Sequence, residues 1–431
     1  MMRIAMFSDN FYPELSGIAD SIILVARELA RRGHRIHIYA PRYTRANHEL
    51  LGLPSTEINL GDCISVTRLA SLPYPTGTGQ GRMVVPTGVR WRLLRRFCPD
   101  VVHVHLPFGL GLEGMLAARI LGKPLVGTNH TPLTEFLRYS PIQGDWLGRL
   151  ATRYTAWFYK HCAFVSSPSR AIFDAMQAFH FRAPHSVMSN PIRLDEFVPL
   201  GRKGVLKKKF GFSTPTILYA GRLAPEKQLD LLVEAVAALA LEFPTLGLAL
   251  LGRGTEEDNL KSLSRSLGVE RRVKFLGFIP EVSQLAEAYN ASEVFAIPST
   301  AETQCIAAMQ GMACGLPVVG VRSWGLKEYI NDANGILVDA GDGNALARAL
   351  AHLLHHPEEC LRLGNGGREF VKRFSSAAIA AEWEEIYGHV VGEFQLRPDL
   401  AGFLSGEGQL GEPAVTRGTG EAPAADRSQI R

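Results

Sequence analysis

The stretch that decides the fold is residues 298–319, which read Pro-Ser-Thr-Ala-Glu-Thr-Gln-Cys-Ile-Ala-Ala-Met-Gln-Gly-Met-Ala-Cys-Gly-Leu-Pro-Val-Val. The apolar segment before it, over 293–297, predicts a buried strand. The stretch itself predicts a turn, a helix of small residues, a stop at Gly315 and a second buried strand. A strand, a helix and another strand in this order indicate a parallel α/β sheet.

The same alternation extends through both halves of the chain. In the first half the pattern predicts strands and helices at 3–7, 21–32, 35–39, 101–105, 111–121 and 124–128. In the second half it predicts them at 216–220, 229–241, 246–251 and 273–276. The fold class is therefore α/β, with one parallel-sheet domain in each half.

With 431 residues, the chain is long enough for two globular domains. Glycines and four lysines over 201–212 are typical of an exposed connector, so we predict domains at 1–200 and 201–376. We expect a helix over 377–396, which carries Trp383 and Tyr387, to pack back across both lobes. Residues 397–431 lack periodicity and are predicted to be a disordered tail.

Composition argues against several classes of protein. The six cysteines show neither CxxC nor Cys/His ligand spacing, which argues against a zinc site or a redox pair. No apolar stretch is long enough to span a bilayer or to act as a signal peptide, so we expect a cytoplasmic protein. Residues 1–200 carry 22 Lys and Arg against 14 Asp and Glu, and residues 201–431 carry 24 against 28. The halves are thus +8 and −4, and the basic half favours an anionic partner.

Polar residues follow predicted strands at the positions where α/β proteins bind ligands. Gly17 lies in the turn after the first strand, where a glycine lets backbone amides at a helix N-terminus approach a phosphate. Arg222 and Lys227 follow Gly221 at the end of another strand and are suited to cover a diphosphate as it leaves. His130 follows a third strand, where it is placed to face an interdomain cleft.

The most specific pattern lies within 298–319. Glu302 falls in the predicted turn, and Gln310 follows eight residues later, about two helical turns on. The predicted helix N-terminus, at 305–307, is therefore placed to face a phosphate, with a polar residue on either side of it.

Structural explanations compete with these functional ones. The turn at Gly17 also suits an ordinary strand-to-helix connection, Arg222 and Lys227 also suit a solvated charge cluster, and His130 also suits a satisfied lone histidine. His103 and His105 alternate with valines and share one face of a strand, without a carboxylate or cysteine ligand pattern nearby. For these two histidines we favour structural roles.

Taken together, Gly17, His130, Gly221-Arg222 with Glu226-Lys227, and Glu302 followed by Ala313-Cys-Gly-Leu-Pro-Val-Val resemble glycosyltransferase family 4. The resemblance covers about residues 1–395. It implies the GT-B fold, in which two Rossmann-like, doubly wound parallel-sheet domains face a cleft. It further implies a hexosyltransferase that moves a hexose from a nucleotide diphosphate sugar, of the UDP-glucose or GDP-mannose type, to an acceptor hydroxyl. Retention of configuration and no obligatory metal are also implied.

The resemblance assigns roles to individual residues. It implies a catalytic set of Arg222, Lys227, Glu302 and His130, with Arg222 and Lys227 on the leaving diphosphate, Glu302 on sugar hydroxyls and His130 beside the transferred sugar. It implies donor-binding positions at Gly17, Gly221, Thr303, Gln304, Cys305, Ile306 and Gln310. We place Asn10 and Thr131 on the acceptor side. The family usually has glutamate where Gln310 stands and commonly has glycine where Cys305 stands, so the donor geometry here departs from the family pattern.

The acceptor is expected to be a lipid or a glycan. Glu302-Thr303-Gln304, in place of Glu-Gly-Phe, is similar to members that glycosylate membrane lipids such as diacylglycerol. A basic and aromatic segment supports contact with an anionic membrane surface, through Arg90, Trp91, Arg92, Arg95 and Arg96. A helix packed beside the next strand is the competing explanation. We therefore expect a protein that is peripheral on the inner face of the cell membrane and does not bind nucleic acid.

The residues favour substitution on the face from which the leaving group departs, with a double displacement through Glu302 as the alternative. Rival functions on the same fold are a nucleotide-sugar epimerase, a sugar phosphorylase and a non-catalytic nucleotide-sugar binding protein. A nicotinamide dehydrogenase is disfavoured because the turn after the first strand lacks the three-glycine fingerprint.

Overall fold

A computed structural model describes residues 1–14, 16–49, 53, 55–74, 80–132, 144–212 and 214–396. The segment 397–431, predicted to be a disordered tail, lies outside the described residues.

The N-terminal lobe is built on one parallel sheet. Its strands are β1 (Arg3–Phe7), β2 (Arg35–Pro41), β3 (Ile64–Leu69), β4 (Leu72–Pro73), β5 (Arg82–Met83), β6 (Val101–Val104), β7 (Leu125–Thr128), β8 (Phe164–Ser167) and β9 (His185–Val187). Seven of them form the sheet in the order β3-β2-β1-β6-β7-β8-β9, and β4 pairs with β5 apart from it. All seven are parallel, as the alternation of strands and helices predicted.

Helices cover both faces of this sheet. Within the described residues they are α1 (Gly17–Arg31), α2 (Arg45–Glu49), α3 (Trp91–Phe97), α4 (Gly109–Ile120), α5 (Asp145–Tyr159) and α6 (Arg170–Gln177). Successive residues of β1 point to opposite faces, so that Met6 packs with α1 whereas Phe7 packs in a second core with α3, α4, α5 and α6. The helix predicted over 21–32 begins four residues earlier, because the Ser16 hydroxyl caps it by accepting a hydrogen bond from the Ala19 amide.

The C-terminal lobe repeats this plan on a sheet of six parallel strands. These are β10 (Thr216–Ala220), β11 (Gly247–Leu251), β12 (Val273–Gly277), β13 (Val294–Ile297), β14 (Val318–Val321) and β15 (Gly335–Val338). Their order is β12-β11-β10-β13-β14-β15. Every residue of β10, β11, β13 and β14 is buried, which is why these segments read as continuous apolar runs.

The helices of this lobe cover both faces of its sheet. They are α7 (Lys203–Phe210), α8 (Asp230–Ala238), α9 (Glu257–Ser266), α10 (Val282–Asn290), α11 (Ile306–Ala313), α12 (Leu326–Tyr329), α13 (Gly343–His355) and α14 (Pro357–Val371). Single 3₁₀ turns occupy Pro225–Lys227 and Lys372–Phe374. The strand, helix and strand expected around 298–319 are β13, α11 and β14.

The last helix, α15 (Ser376–Leu396), returns to the N-terminal lobe. Trp383 and Tyr387 are buried in the same core as α1, and the Tyr387 hydroxyl shares a hydrogen bond of 2.6 Å with Nδ1 of His103 on β6. Phe374, in the 3₁₀ turn just before the helix, packs against the cores of both lobes. Here the Ile192 amide donates to the Phe374 carbonyl at 2.8 Å, so the two chain segments that join the lobes run side by side.

Replacing Tyr387 by Phe should destabilise the N-terminal lobe. The substitution leaves the buried Nδ1 of His103 without its partner, which costs about 1–3 kcal/mol in the free energy of unfolding. Urea unfolding followed by fluorescence measures this change. Glu385→Ala, at an exposed position of the same helix, is the control and should change the free energy by less than about 0.5 kcal/mol. Equal stability of Tyr387→Phe and the wild type would show that this hydrogen bond does not hold the helix.

Candidate active site

The site lies where the carboxyl ends of the two sheets meet. In each sheet the strand order reverses beside the first strand, at β1 and β6 in one lobe and at β10 and β13 in the other. Helices leave such a point toward opposite faces of the sheet, and α/β proteins bind ligands in the crevice that results. The loops after these strands hold most of the residues that the sequence singled out.

Two helix N-termini approach each other across the cleft. Gly17 is the first residue of α1, and Ile306 is the first residue of α11 in the other lobe. A methyl group at Gly17 would lie 2.6 Å from Cδ1 of Ile306, so any side chain here would displace the isoleucine. The N-terminal ends of both helices carry unpaired amides and partial positive charge. Their convergence makes this point of the cleft suited to an anion.

Charged side chains of the C-terminal lobe lie beside the start of α11. Lys227 is buried and forms an ion pair with Glu302. Arg222 is more exposed, and its Nη2 donates to Oε1 of Glu226 at 3.0 Å. Burial alone would raise the pKa of Glu302, but Lys227, a hydrogen bond from Ser299 and the charge of Arg222 together lower it. Glu302 is therefore ionised, and the positive charges of both Lys227 and Arg222 act on its carboxylate.

Gly221 allows the chain to enter this loop. It follows β10 directly with φ of +151°, and its amide donates to the Leu251 carbonyl at 2.9 Å. A methyl group here would lie 2.7 Å from the Tyr219 hydroxyl, which donates to the carbonyl of Arg222. The glycine thus fixes the path that brings Arg222 to the cleft.

The loop from Thr303 to Ile306 joins the two lobes. The Thr303 hydroxyl donates to the His130 carbonyl at 3.0 Å. The Gln304 side chain is buried, and its oxygen accepts hydrogen bonds from the backbone and side-chain nitrogens of Asn190, both at 2.7 Å. The side chain of Gln304 therefore holds the segment between the lobes and is occupied by that contact.

Two departures from the family pattern have visible consequences. Cys305, where glycine is common, adopts a left-handed conformation with φ of +57° at the start of α11. Its thiol is buried, and burial raises its pKa, so it is not a thiolate. The carbonyl oxygen of Gln310 accepts a hydrogen bond from the Tyr289 hydroxyl at 3.1 Å, which leaves the amide NH₂ as the group that remains for a ligand.

His130 lies in a buried cluster of imidazoles. Its Nε2 shares a hydrogen bond of 3.1 Å with Nδ1 of His105, and the ring centroid of His105 lies 4.1 Å from that of His103, with the two rings tilted by 31°. Burial lowers the pKa of His130 to about 4, and the nearby Asn190 amide only partly opposes this. Burial also holds the pKa values of His103 and His105 well below the usual value. All three rings are neutral at physiological pH.

The acceptor-side residues have different settings. The side chain of Asn10 is buried and accepts a hydrogen bond from the Ser16 hydroxyl, so that it shapes the loop before α1. Thr131 is half-buried at the end of a described segment.

Sequence reasoning missed two buried acids on this side of the cleft. Asp9 accepts hydrogen bonds from the amides of Val84, at 3.1 Å, and Leu110, at 2.7 Å, and burial raises its pKa to about 7. Burial also raises the pKa of Glu14 to about 7, against the opposing charge of Arg222 in the other lobe. Glu14 lies in the same turn as Gly17, and a carboxylate in a turn expected to bind phosphate was the available signal.

The basic segment expected to contact a membrane forms α3, and its residues divide into two groups. Arg90 points inward, where its Nη1 donates to the buried Glu113 at 3.2 Å, and Trp91 is half-buried. Arg92, Arg95 and Arg96 are exposed. Among the described helices, none is long and apolar enough to cross a membrane. The part of the chain that the structure describes contains no cluster of His, Cys, Asp or Glu side chains arranged to hold a metal ion.

The structure thus gathers the loops that carry Gly17, His130, Gly221, Arg222, Lys227, Glu302, Thr303, Gln304, Cys305 and Ile306 around one cleft. Gln310 lies further along α11, against Tyr289. The Asn190 contact with Gln304 was not visible in the sequence, because the two residues are 114 positions apart.

Comparison with known proteins agrees with this geometry. Residues 15–196 match the family described as Glycosyltransferase Family 4, and residues 205–370 match the family described as Glycosyl transferases group 1. A GDP-mannose-dependent alpha-mannosyltransferase of Mycobacterium tuberculosis is 29% identical over 362 residues, covering 82% of this chain and 88% of the relative. An alpha-monoglucosyldiacylglycerol synthase of Acholeplasma laidlawii is 24% identical over 399 residues, covering 90% of this chain and 96% of the relative.

Among solved structures, the sucrose-phosphate synthase of Thermosynechococcus elongatus superposes with a TM-score of 0.75 at 20% identity. The match covers 91% of this chain and all of that one, which confirms the expected GT-B architecture of two facing lobes. The two family matches together span both lobes and include the loops that form the cleft. The chain therefore belongs to glycosyltransferase family 4 and is a glycosyltransferase of the GT-B fold.

Proposed function

We propose that this glycosyltransferase transfers a hexose, with retention of configuration, from a nucleoside diphosphate sugar to a hydroxyl of a membrane lipid, and that it needs no metal ion. The observation that carries the proposal is the group of Arg222, Lys227 and Glu302 beside the converging starts of α1 and α11. Relatives named for GDP-mannose and for a glucosyl lipid support a donor of the GDP-mannose or UDP-glucose type.

Positive charge assists departure of the diphosphate. As the bond between the sugar C1 and the phosphate oxygen lengthens, negative charge grows on the diphosphate. Arg222 and Lys227 neutralise that charge, and the amides at the starts of α1 and α11 donate to it. Because these groups are positioned before the donor binds, they stabilise the transition state without reorganising, which is the role that a metal ion plays in other transferases.

The arrangement favours substitution on the face that the diphosphate leaves. Glu302, four residues before the start of α11, is held by Lys227 and is suited to bind sugar hydroxyls. The acceptor oxygen then forms its bond to C1 as the bond to phosphate breaks, and its proton passes to the departing phosphate oxygen. A neutral His130 donates a hydrogen bond to a sugar hydroxyl without adding charge. A covalent intermediate on Glu302 is the alternative, and trapping a glycosyl-enzyme adduct would establish it.

The outer surface of the N-terminal lobe supports a lipid acceptor. Helices α3, α4 and α5 pack in one core, and every exposed charged side chain described on them is an arginine, at Arg92, Arg95, Arg96, Arg119, Arg149 and Arg153. Apolar side chains lie among them on α5, where Trp146 is 60%, Leu150 52% and Trp157 41% exposed. Tryptophan and arginine on one helical face suit the interface of an anionic bilayer. We infer that this layer attaches the enzyme to the inner face of the cell membrane.

The donor should be identifiable from the stabilisation that it gives the protein in a thermal melt. Ligand at a hundred times its dissociation constant adds about 2.7 kcal/mol to the free energy of unfolding, which a thermal melt detects. We expect UDP-glucose or GDP-mannose to raise the melting temperature, and NMR of the product to show the donor's anomeric configuration. A product of inverted configuration, or release of no nucleoside diphosphate with any acceptor, would contradict the proposed reaction.

Removing either positive charge should slow turnover. Lys227→Ala and Arg222→Ala should each lower kcat by at least about tenfold, equal to about 1.4 kcal/mol, because charge on the diphosphate grows in the transition state. Lys227 also lowers the pKa of Glu302, so its loss should move the acidic limb of the pH profile to higher pH. Lys208→Ala, at an exposed lysine of the same lobe, is the control. Unchanged turnover in both folded variants would remove these residues from the mechanism.

Membrane attachment should depend on the arginines of α3. Each arginine near an anionic surface contributes about 1 kcal/mol, so replacing Arg92, Arg95 and Arg96 by Ser should weaken binding to phosphatidylglycerol vesicles by roughly a hundredfold. Salt should weaken binding of the wild type, since exposed charge is screened within about 8 Å at physiological ionic strength. Slow hydrolysis of the donor should persist, because the donor groups lie in the other lobe.

The matched control for this experiment replaces three exposed basic residues of the C-terminal lobe, Lys208, Arg271 and Lys327, by Ser. It changes the net charge equally and should leave vesicle binding intact. A wild type that ignores anionic vesicles and glycosylates a soluble acceptor efficiently would overturn the lipid proposal and leave the glycosyl transfer standing.

A further inference from the structure

His105 is a buried histidine beside His130, and the proposed reaction gives it no role. It follows β6 at the point where the strand order of the N-terminal sheet reverses, and its amide donates to the Phe7 carbonyl at 3.0 Å. Its ring is buried, lies 22° from parallel to that of His130, and shares the hydrogen bond between its Nδ1 and the His130 Nε2. Within the described residues, each ring of this pair also has one buried nitrogen outside strict hydrogen-bond geometry, Nε2 of His105 and Nδ1 of His130, although the Asn190 side chain lies close enough to His130 to raise its pKa.

This pairing fixes the proton position on His130. Two neutral imidazoles joined by one hydrogen bond share a single proton across it, so one ring supplies an N–H and the other a lone pair. If Nδ1 of His105 donates, Nε2 of His130 is bare and the proton of His130 resides on Nδ1. If the direction is reversed, Nδ1 of His130 is bare and the unpaired proton resides on Nε2 of His105. The tautomer of one ring therefore dictates that of the other.

Energetics select between the two arrangements. An unpaired buried N–H is rarer in proteins than an unpaired acceptor. The side chain of Asn190 lies beside His130 and raises its pKa as a hydrogen-bond partner, whereas Nε2 of His105 has no such partner among the described residues. The favourable arrangement leaves His105 Nε2 as the bare nitrogen and places the proton of His130 on Nδ1.

We propose that His105 is a positioning residue, which donates from Nδ1 to Nε2 of His130 and thereby makes Nδ1 of His130 a hydrogen-bond donor to a hydroxyl of the transferred sugar. This inference rests on the proposed placement of His130 beside that sugar. His105 acts through His130 and touches no substrate itself. Burial keeps both rings uncharged, so the contact orients the sugar without competing with the positive charges that bind the diphosphate.

His103 provides a matched comparison within the same strand. It is as buried as His105 and points to the same face of β6, yet both of its nitrogens are engaged, with the Tyr387 hydroxyl at 2.6 Å and the Thr128 hydroxyl at 2.7 Å. It makes no hydrogen bond to His130. A substitution at His103 therefore disturbs the same core, including the packing against His105, without removing the hydrogen bond between His105 and His130.

The test compares four substitutions by steady-state release of nucleoside diphosphate from UDP-glucose or GDP-mannose, whichever the melting experiment selects. His105→Leu and His105→Gln should lower kcat by at least about tenfold with little change in the donor KM, because misplacing a sugar affects the reacting geometry more than binding. His105→Asn should retain kcat within about threefold, since an asparagine amide reaches the position of Nδ1 and a glutamine amide does not. His103→Leu should lower the melting temperature and spare kcat.

The outcomes separate this inference from the proposed function. If His105→Leu does not fold, the comparison of Asn with Gln at the same position still decides. Equal kcat for the Asn and Gln variants, or an equal loss of kcat in His103→Leu, overturns the positioning role. His130→Ala serves as the reference: if it leaves kcat unchanged, the placement of His130 beside the sugar is wrong, whereas a slow His130→Ala with a fast His105→Gln rejects only the inference drawn here.

Discussion

Most groups of the site lie on loops that leave a parallel strand where the strand order reverses, and this constraint organises the rest of the molecule. At such a point the flanking helices diverge, so a crevice opens without any cost in core packing. Each lobe has one crevice, and the contacts of Gly17 with Ile306 and of Thr303 with His130 hold the two crevices face to face. The cleft therefore draws on four strand ends.

The ion pair of Lys227 with Glu302 is better explained by reactivity than by stability. A buried ion pair contributes little net stability, because removing both charges from water offsets most of their attraction. Its value lies in keeping both groups ionised inside the lobe, so that a positive charge is already in place where negative charge will grow. The neutral His130 on the opposite wall leaves this electrostatic task to the C-terminal lobe.

Short-range signals in the sequence predicted the central strands of both lobes, β1, β2, β6, β7 and β10 to β14, together with the parallel sheets and most positions of the cleft. Apolar runs in the sequence indicate buried strands. The residues that directly follow such strands lie at the carboxyl edge of the sheet, where α/β proteins bind ligands. Contacts between residues distant in sequence gave no such signal: the Asn190 amide meets Gln304, and Tyr387 meets His103 across 284 positions. The roles of His105 and Glu14 likewise depend on burial and neighbours, which a strand pattern does not contain. The cap at Ser16, which the apolar spacing of the helix did not indicate, explains the early start of α1.

The return of α15 to the first lobe has a consequence for biosynthesis. A ribosome releases the N-terminal lobe first, and domains generally fold as units in that order. Here one face of the N-terminal sheet lacks Trp383 and Tyr387 until nearly the whole chain has emerged, and His103 has no hydroxyl partner for Nδ1 until then. The apolar surface that α15 covers in the finished protein is therefore exposed on the nascent N-terminal lobe while the C-terminal lobe is synthesised. The N-terminal lobe is therefore completed late, when α15 packs onto the exposed face of its sheet.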